Sequence, residues 1–329
     1  SDADPQEKRV QEHIRRYVLS RLSPDAKTGR RQRVMMLLFQ GEDAIRRVRE
    51  VVGNISFDRR TGESIRDTYG DLIIDEDGGV GFFEPAVLAA PTAAEAKIKL
   101  LLWAEYSDTD GGLVDNTICY RDGEQPQRTL VLIKPDNFRF PSGRPGNMID
   151  FFSRTGLYIV AINLHRMSVA EAVEFYGPVK EILRTKLKDV VANRAKEVLE
   201  KELGFPLPQT ATQQLGEILG PLYGDNQFDS IVKFMSGGTS TECTSEQQRA
   251  PGTQKCIALV YEGVDAVRKI RDVLGPTDPS KAPPGSIRRE FGQTIMVNAA
   301  HASDSPENAQ REMRIVRVAE NNFKKEVLD

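Results

Sequence analysis

Cysteine, histidine and tryptophan are scarce in this chain: 329 residues include three cysteines, three histidines and one tryptophan. Cys119, Cys243 and Cys256 share no metal-ligand spacing and cannot form an even disulfide set, so a reducing cytoplasm is the expected compartment. Long apolar runs are also missing. None approaches the ~18 residues a membrane span needs, and the first residues are charged rather than signal-like. Neither charge sign dominates: 45 Lys and Arg against 48 Asp and Glu leave a net charge of −3. That balance argues against nucleic acid or a membrane surface as the main partner. No Walker A loop occurs, and no Gly-x-Gly-x-x-Gly follows a strand. The acidic tip Asp75-Glu-Asp-Gly-Gly79 lacks the further oxygen ligands of a calcium loop. What is present is a mixture ordinary for a soluble globular protein, 39% hydrophobic and 28% charged, and long enough for two domains.

Hydrophobic periodicity predicts an amphipathic helix over 5–22, a buried strand at Val34–Phe39 and a helix at Asp43–Val52. A turn-rich stretch, 53–85, precedes an alanine-rich helix at 92–104 and a polar linker at 107–127. Strands are predicted at Thr129–Ile133, Leu157–Leu164 and Cys256–Tyr261, and one entering His301. Helices are predicted within Gly143–Thr155, at Ser168–Phe175, over 180–203, at 211–220, at Ile231–Met235, at Val264–Leu274 and from Pro306. Ser168 with Glu171 three residues on reads as a capping box. A glycine-bearing turn is expected after 220, a polar loop over 236–254 and a rigid Pro/Gly loop over 275–287.

The chain echoes itself. Gly41, Asp43, Arg46, Arg49 and Gly53 recur as Gly263, Asp265, Arg268, Arg271 and Gly275, all 222 residues later. Ser64-Ile-Arg66 recurs as Ser286-Ile-Arg288 at the same spacing. Past that point the register slips by about seven, pairing Pro91–Ile98 with Pro306–Met313. This register sets Ala86 opposite His301, so the earlier copy has no histidine there.

His301 stands in Asn298-Ala-Ala-His301-Ala-Ser303-Asp304-Ser305, with Glu312 further on, at a strand-to-helix junction. A lone histidine near a helix start is usually a solvated or capping residue. Here two hydroxyls and two carboxylates surround it, and such groups can fix a tautomer and answer developing charge. Upstream lie Thr129-Leu-Val-Leu-Ile-Lys134-Pro135-Asp136, Glu174-Phe-Tyr176, and Arg271 through Gly275, Thr277 and Pro279 to Arg288. Singly these are weak signals. Together they resemble the nucleoside diphosphate kinase family, over about 128–180 and 225–329.

The resemblance implies an α/β (α+β) fold, a ferredoxin-like antiparallel sandwich, preceded by a partial degenerate copy of it. It implies a catalytic domain at 128–329 with a helical insertion at 181–224, a degenerate repeat at 1–106 and a linker at 107–127. The implied reaction moves the γ-phosphate of ATP or another nucleoside triphosphate to a nucleoside diphosphate, with Mg²⁺ carried on the nucleotide phosphates. His301 is then the nucleophile, held by Glu312 and Ser303. Lys134, Arg271 and Arg288 clamp phosphate, Tyr176 faces the transferred group, Thr277 the other phosphates, and Asn298 the sugar. Phe228 falls near the family's base-stacking aromatic. Ala302 replaces a signature glycine, and an arginine usual near Asp225 is missing, with Arg184 or Arg194 as candidate substitutes. A homo-oligomer is expected. A nucleotide-binding regulatory or scaffolding protein that kept the fold is the competing reading.

Overall fold

The computed structural model describes residues 5–55, 62–77, 79–321 and 323–328. The chain forms two compact units, 1–121 together with 321–329, and 122–320. No helix among the described residues is long and apolar enough to cross a membrane.

In the first unit α1 (Pro5–Tyr17) runs into a short π turn, Val18–Leu22. Two short helices follow, α2 (Ala44–Val52) and α3 (Ile65–Tyr69), then an antiparallel hairpin of β1 (Asp71–Ile74) and β2 (Val80–Glu84). The last long element of this stretch is α4 (Ala93–Asp110), capped by Thr92.

Val34–Phe39 differs from expectation: it is no strand, and Val34, Leu37 and Phe39 are exposed. A strand needs a hydrogen-bonded neighbour. Among the described residues β1 and β2 pair only with each other.

The second unit is built on a four-stranded antiparallel sheet. Its strands are β3 (Pro126–Ile133), β4 (Tyr158–His165), β5 (Cys256–Val264) and β6 (Ala300–Ala302), in the spatial order β4-β5-β3-β6. Helix α5 (Arg144–Ser153) joins β3 to β4, and α10 (Ala266–Leu274) with α11 (Ile287–Phe291) joins β5 to β6. That is the βαββαβ order of a ferredoxin-like sandwich. The two central strands are apolar on both faces because helices cover both. Val131, Ile133, Leu259 and Tyr261 join a core with Met148, Phe152, Ile270, Leu274 and Ile287. Leu130, Leu132, Ala258 and Val260 alternate with them and are equally buried. On β3 lies α12 (Pro306–Ile315), which also meets the helix that begins at Val169.

Between β4 and β5 the chain inserts α6 (Val169–Lys186), α7 (Lys188–Leu203), α8 (Gln209–Ser236) and α9 (Ser245–Arg249). The capping box predicted at Ser168 and Glu171 is present. Burial works to raise the Glu171 carboxyl's pKa, but the bonds from His165 and Ser168 N–H and the Arg317 charge hold it at about 2. The expected turn after 220 does not exist: α8 passes unbroken through Gly220-Pro221 and Gly224. Those glycines, with Gly216, form a smooth stripe where helices touch. A Cβ at Gly224 would stand 2.6 Å from the Arg184 backbone, and one at Gly220 would lie 3.3 Å from the Arg184 carbonyl. The region expected as polar loop contains α9, capped by Thr244 and Gln247.

The final helix, α13 (Phe323–Leu328), belongs to the first unit and packs on α4.

Two stretches 222 residues apart have the same backbone geometry. Asp43 and Asp265 enter their helices at φ 52° and 58°, and Gly53 and Gly275 end them at φ 82° and 81°. Arg66 donates to the carbonyls of Gly53 (2.7 Å) and Val87 (2.9 Å). Arg288 donates to those of Gly275 (3.0 Å) and Ala300 (3.1 Å). The positive-φ residues Ala86 and Ala299, and the caps Thr92 and Ser305, set the later register at a spacing of 213. This corrects the register read from Pro91 and Pro306: the residue opposite His301 is Leu88, not Ala86. Ala90 stands opposite Ser303, and Lys99 opposite Glu312.

Candidate active site

Strand β6 pairs with β3, His301 opposite Leu132. Its neighbour Ala299 adopts φ 72°, which turns the chain sharply just before the strand. Ala302, where the signature has glycine, lies in the strand without positive φ, so its Cβ causes no backbone strain.

The His301 ring is part-buried. Its Nε2 lies 2.9 Å from Glu312 Oε2, and Ser303 Oγ donates to the same oxygen at 2.6 Å. Glu312 is 5% exposed on α12. A carboxylate at Nε2 favours the tautomer with its proton there, leaving Nδ1 as the free nitrogen with its lone pair available. The rings of Phe175 (5.0 Å) and Tyr176 (6.2 Å) meet the imidazole edge-on.

Tyr176 is part-buried, but its Oη is shielded from solvent and has no hydrogen-bond partner among the described residues. Burial, aided by Cys256 and Glu312, raises its pKa well beyond the usual phenol range. It therefore stays a neutral donor with a hydrogen to give.

Lys134 ends β3, and its Nζ donates to Asn298 Oδ1 (2.8 Å) and to the Met296 carbonyl. Burial pulls its pKa down from 10.5 to about 8, against the attraction of Asp136. Asn298 Nδ2 donates in turn to the carbonyls of Thr277 (3.0 Å) and Ile295 (2.8 Å), which ties the proline loop to the strand. Asp136 accepts from the Ala299 N–H at 3.2 Å and so supports the positive-φ turn.

Arg288 is lowered to about 10 by burial and by nearby Arg271, yet remains charged at neutral pH. Its Nε is buried without a partner. Arg271 is exposed and makes no ion pair with any described residue. Thr277 is exposed beside it in the loop. Among the described residues no group of three or more His, Cys, Asp and Glu side chains could hold a metal ion.

The structure thus brings His301, Glu312, Ser303 and Tyr176 together, and links Lys134, Asn298 and Thr277 by hydrogen bonds. Phe228 lies differently: it is 3% exposed, with the Lys180 ammonium 5.3 Å from its ring centroid. It has no open face for stacking. The ring beside Lys134 is Phe234, 5.0 Å from Nζ, on the same helix and only part-buried. The candidate substitute arginines are engaged within the insertion. Arg184 makes a two-pronged bond to Asp225, 2.8 Å on each arm, and Arg194 donates to Tyr223 Oη.

Arg311 adjoins this cluster and was not anticipated from the sequence. Pro178 sits inside α6 and has no N–H to give the Glu174 carbonyl four residues back. Arg311 supplies the missing donor, bonding the carbonyls of Glu174 and Phe175 at 3.1 Å each. Its guanidinium also lies 3.6 Å from Glu312. One side chain therefore links the Phe175–Tyr176 turn to the carboxylate that holds His301. Pro178 falls between two helices predicted from the sequence, Ser168–Phe175 and 180–203, and the structure instead carries α6 through it.

A hydrogen-bonded histidine, a phenol with a buried, unpartnered hydroxyl, and cations without an ion pair among the described residues are thus carried on a ferredoxin-like sheet. A family model for nucleoside diphosphate kinase matches residues 207–321. The nucleoside diphosphate kinase of Staphylothermus marinus is 31% identical over 58% of this chain and 92% of its own length. That of Aquifex aeolicus is 30% identical over 57% and 91%. The solved structure of the Aquifex aeolicus enzyme covers 58% of this chain and 95% of its own, at 28% identity and a TM-score of 0.37. The chain belongs to the nucleoside diphosphate kinase family.

Proposed function

We propose that the second unit transfers the γ-phosphate of a nucleoside triphosphate to a nucleoside diphosphate by a ping-pong route through phosphorylated His301. The observation that carries this reading is the bond between His301 Nε2 and buried Glu312, which leaves Nδ1 as the nucleophilic nitrogen. Nδ1 attacks the γ-phosphorus, the N–P bond forms, and the bond to the β,γ-bridging oxygen breaks. The departing diphosphate keeps that electron pair. The Nε2 proton stays in its bond to Glu312, which answers the positive charge on the ring. The second half-reaction reverses these steps with a new diphosphate.

Catalysis of phosphoryl transfer is mostly positioning and electrostatics. Lys134, Arg271 and Arg288 supply the cations, and Tyr176 and Thr277 the neutral donors. Mg²⁺ arrives on the nucleotide's phosphates as part of the substrate. Asn298 holds Lys134 and the proline loop in one register, and its place beside them suits the sugar. For base stacking, Phe234 has the better-placed ring, and Phe228 serves as its packing support. The insertion at 181–224 is assigned as a lid on the nucleotide. A homo-oligomer remains part of the proposal.

Exchange of phosphate between ATP and GDP tests it. Parallel double-reciprocal lines are expected, and His301→Ala should fall by several orders of magnitude with nucleotide binding retained. Turnover above ~1% in that variant would overturn the assignment. A regulatory protein with the same fold would bind nucleotides and show no exchange.

A further inference from the structure

The first unit contains the cationic part of a phosphate site without the nucleophile. Its α2 and α3 copy α10 and α11 in backbone geometry, and Arg49 and Arg66 occupy the places of Arg271 and Arg288. Arg66 is held by two backbone carbonyls as Arg288 is, and its Nε is likewise buried without a partner. Among the described residues Arg49 bonds only the Pro91 carbonyl, at 3.3 Å. The two guanidinium groups lie close enough for Arg49 to lower the pKa of Arg66, an effect second to that of burial.

Salt bridges are the expected fate of residual arginines, and neither of these makes one to a described residue. The adjacent carboxylates are committed elsewhere: Asp43 and Glu50 both pair with Arg46, at 3.2 and 2.8 Å. The two neighbouring cations pair with no carboxylate among the described residues, and an anion between them would relieve their mutual repulsion. Arg49 lines an open depression of about 740 Å³ with Asp43, Arg46, Glu50, Gly53 and Pro91. The corresponding depression at Arg271 in the second unit is about 370 Å³. The chemical half of the site has been replaced. Leu88, Ala90 and Lys99 stand where the second unit has His301, Ser303 and Glu312, and Lys99 is paired with Glu95 at 2.9 Å.

We infer that the first unit is a second, non-catalytic anion site in which Arg49 and Arg66 hold a diphosphate group, either of a nucleotide or of free pyrophosphate. Adjacent guanidinium forks match two phosphates, and no side chain is placed to accept one covalently. The inference rests on the reading of Arg271 and Arg288 as a phosphate seat.

The test is calorimetric titration of the full chain with ADP and, separately, with inorganic pyrophosphate. Two sites per chain are expected. Arg49→Glu, an exposed change, should remove one site and leave ATP/GDP exchange within about twofold of the unaltered protein. Arg49→Lys should keep that site with affinity reduced about tenfold, since the charge stays and the fork is lost. Pyrophosphate binding as tightly as ADP identifies the free anion as ligand, and ADP binding at least tenfold more tightly identifies the nucleotide. One site per chain, unchanged by Arg49→Glu, would overturn the inference. Loss of no site in Arg271→Glu would instead refute the phosphate seat in the second unit.

Discussion

Replacing Arg311 with methionine should both destabilise the protein and slow catalysis, and Pro178 provides the control. Methionine keeps the apolar stem but donates to nothing. The carbonyls of Glu174 and Phe175 then lose donors at 3.1 Å. An orphaned buried acceptor costs about 1–3 kcal/mol. The Glu174 bond is at the surface and the Phe175 bond only part-buried, so the expected total is about 1–3 kcal/mol for both. For a unit of this size that lowers Tm by about 2–12 °C. Pro178→Ala restores the backbone N–H that the Glu174 carbonyl lacks. In that background Arg311→Met should cost about 1 kcal/mol less, a coupling readable from denaturant melts of the four proteins. Because Phe175 and Tyr176 sit on the same turn beside His301, kcat should fall severalfold in Arg311→Met and partly recover in the double variant. Costs that add to within ~0.3 kcal/mol would refute the orphan-carbonyl argument.

Lys134 is pulled down to about 8 by burial, so its charged form is lost as pH rises through that value. kcat/KM should fall above about pH 8, and Lys134→Arg should remove that limb from the pH profile while lowering the plateau. Glu312→Gln replaces a carboxylate that accepts from both His301 and Ser303. Loss of a charge-assisted bond should slow phosphorylation of His301 about 10- to 100-fold in rapid-quench measurements, with nucleotide Kd little changed. Gly224→Ala places a methyl 2.6 Å from the Arg184 backbone, so α6 and α8 should separate and thermal stability fall by about 1–3 kcal/mol. Gly204→Ala, with open space around it but φ 76°, should cost only the ~1 kcal/mol of a left-handed alanine.

The residues proposed to react could be read from the sequence because their signals are local. Lys134-Pro135-Asp136 ends a strand, and Asn298 through Ser305 joins a strand to a helix, so sequence neighbours remain spatial neighbours. What escaped depends on contacts across the chain. Gly220-Pro221 and Gly224 look like a turn in isolation, but the glycines are needed because another helix approaches closely. Val34–Phe39 has a strand's composition and no neighbour to pair with. Phe234 was overlooked because its link to Lys134 spans one hundred residues. The two-residue error in the repeat arose from aligning prolines. The backbone aligns instead on Ala86 with Ala299 and on the two helix caps.

The central claim is that His301 carries the phosphate, and trapping the intermediate tests it most directly. The protein is incubated with γ-labelled ATP, separated from nucleotide and chased with GDP. One label per chain is predicted, labile to acid, stable to alkali, absent from His301→Ala and discharged as labelled GTP. Label that survives acid, persists in His301→Ala or resists GDP would contradict the account.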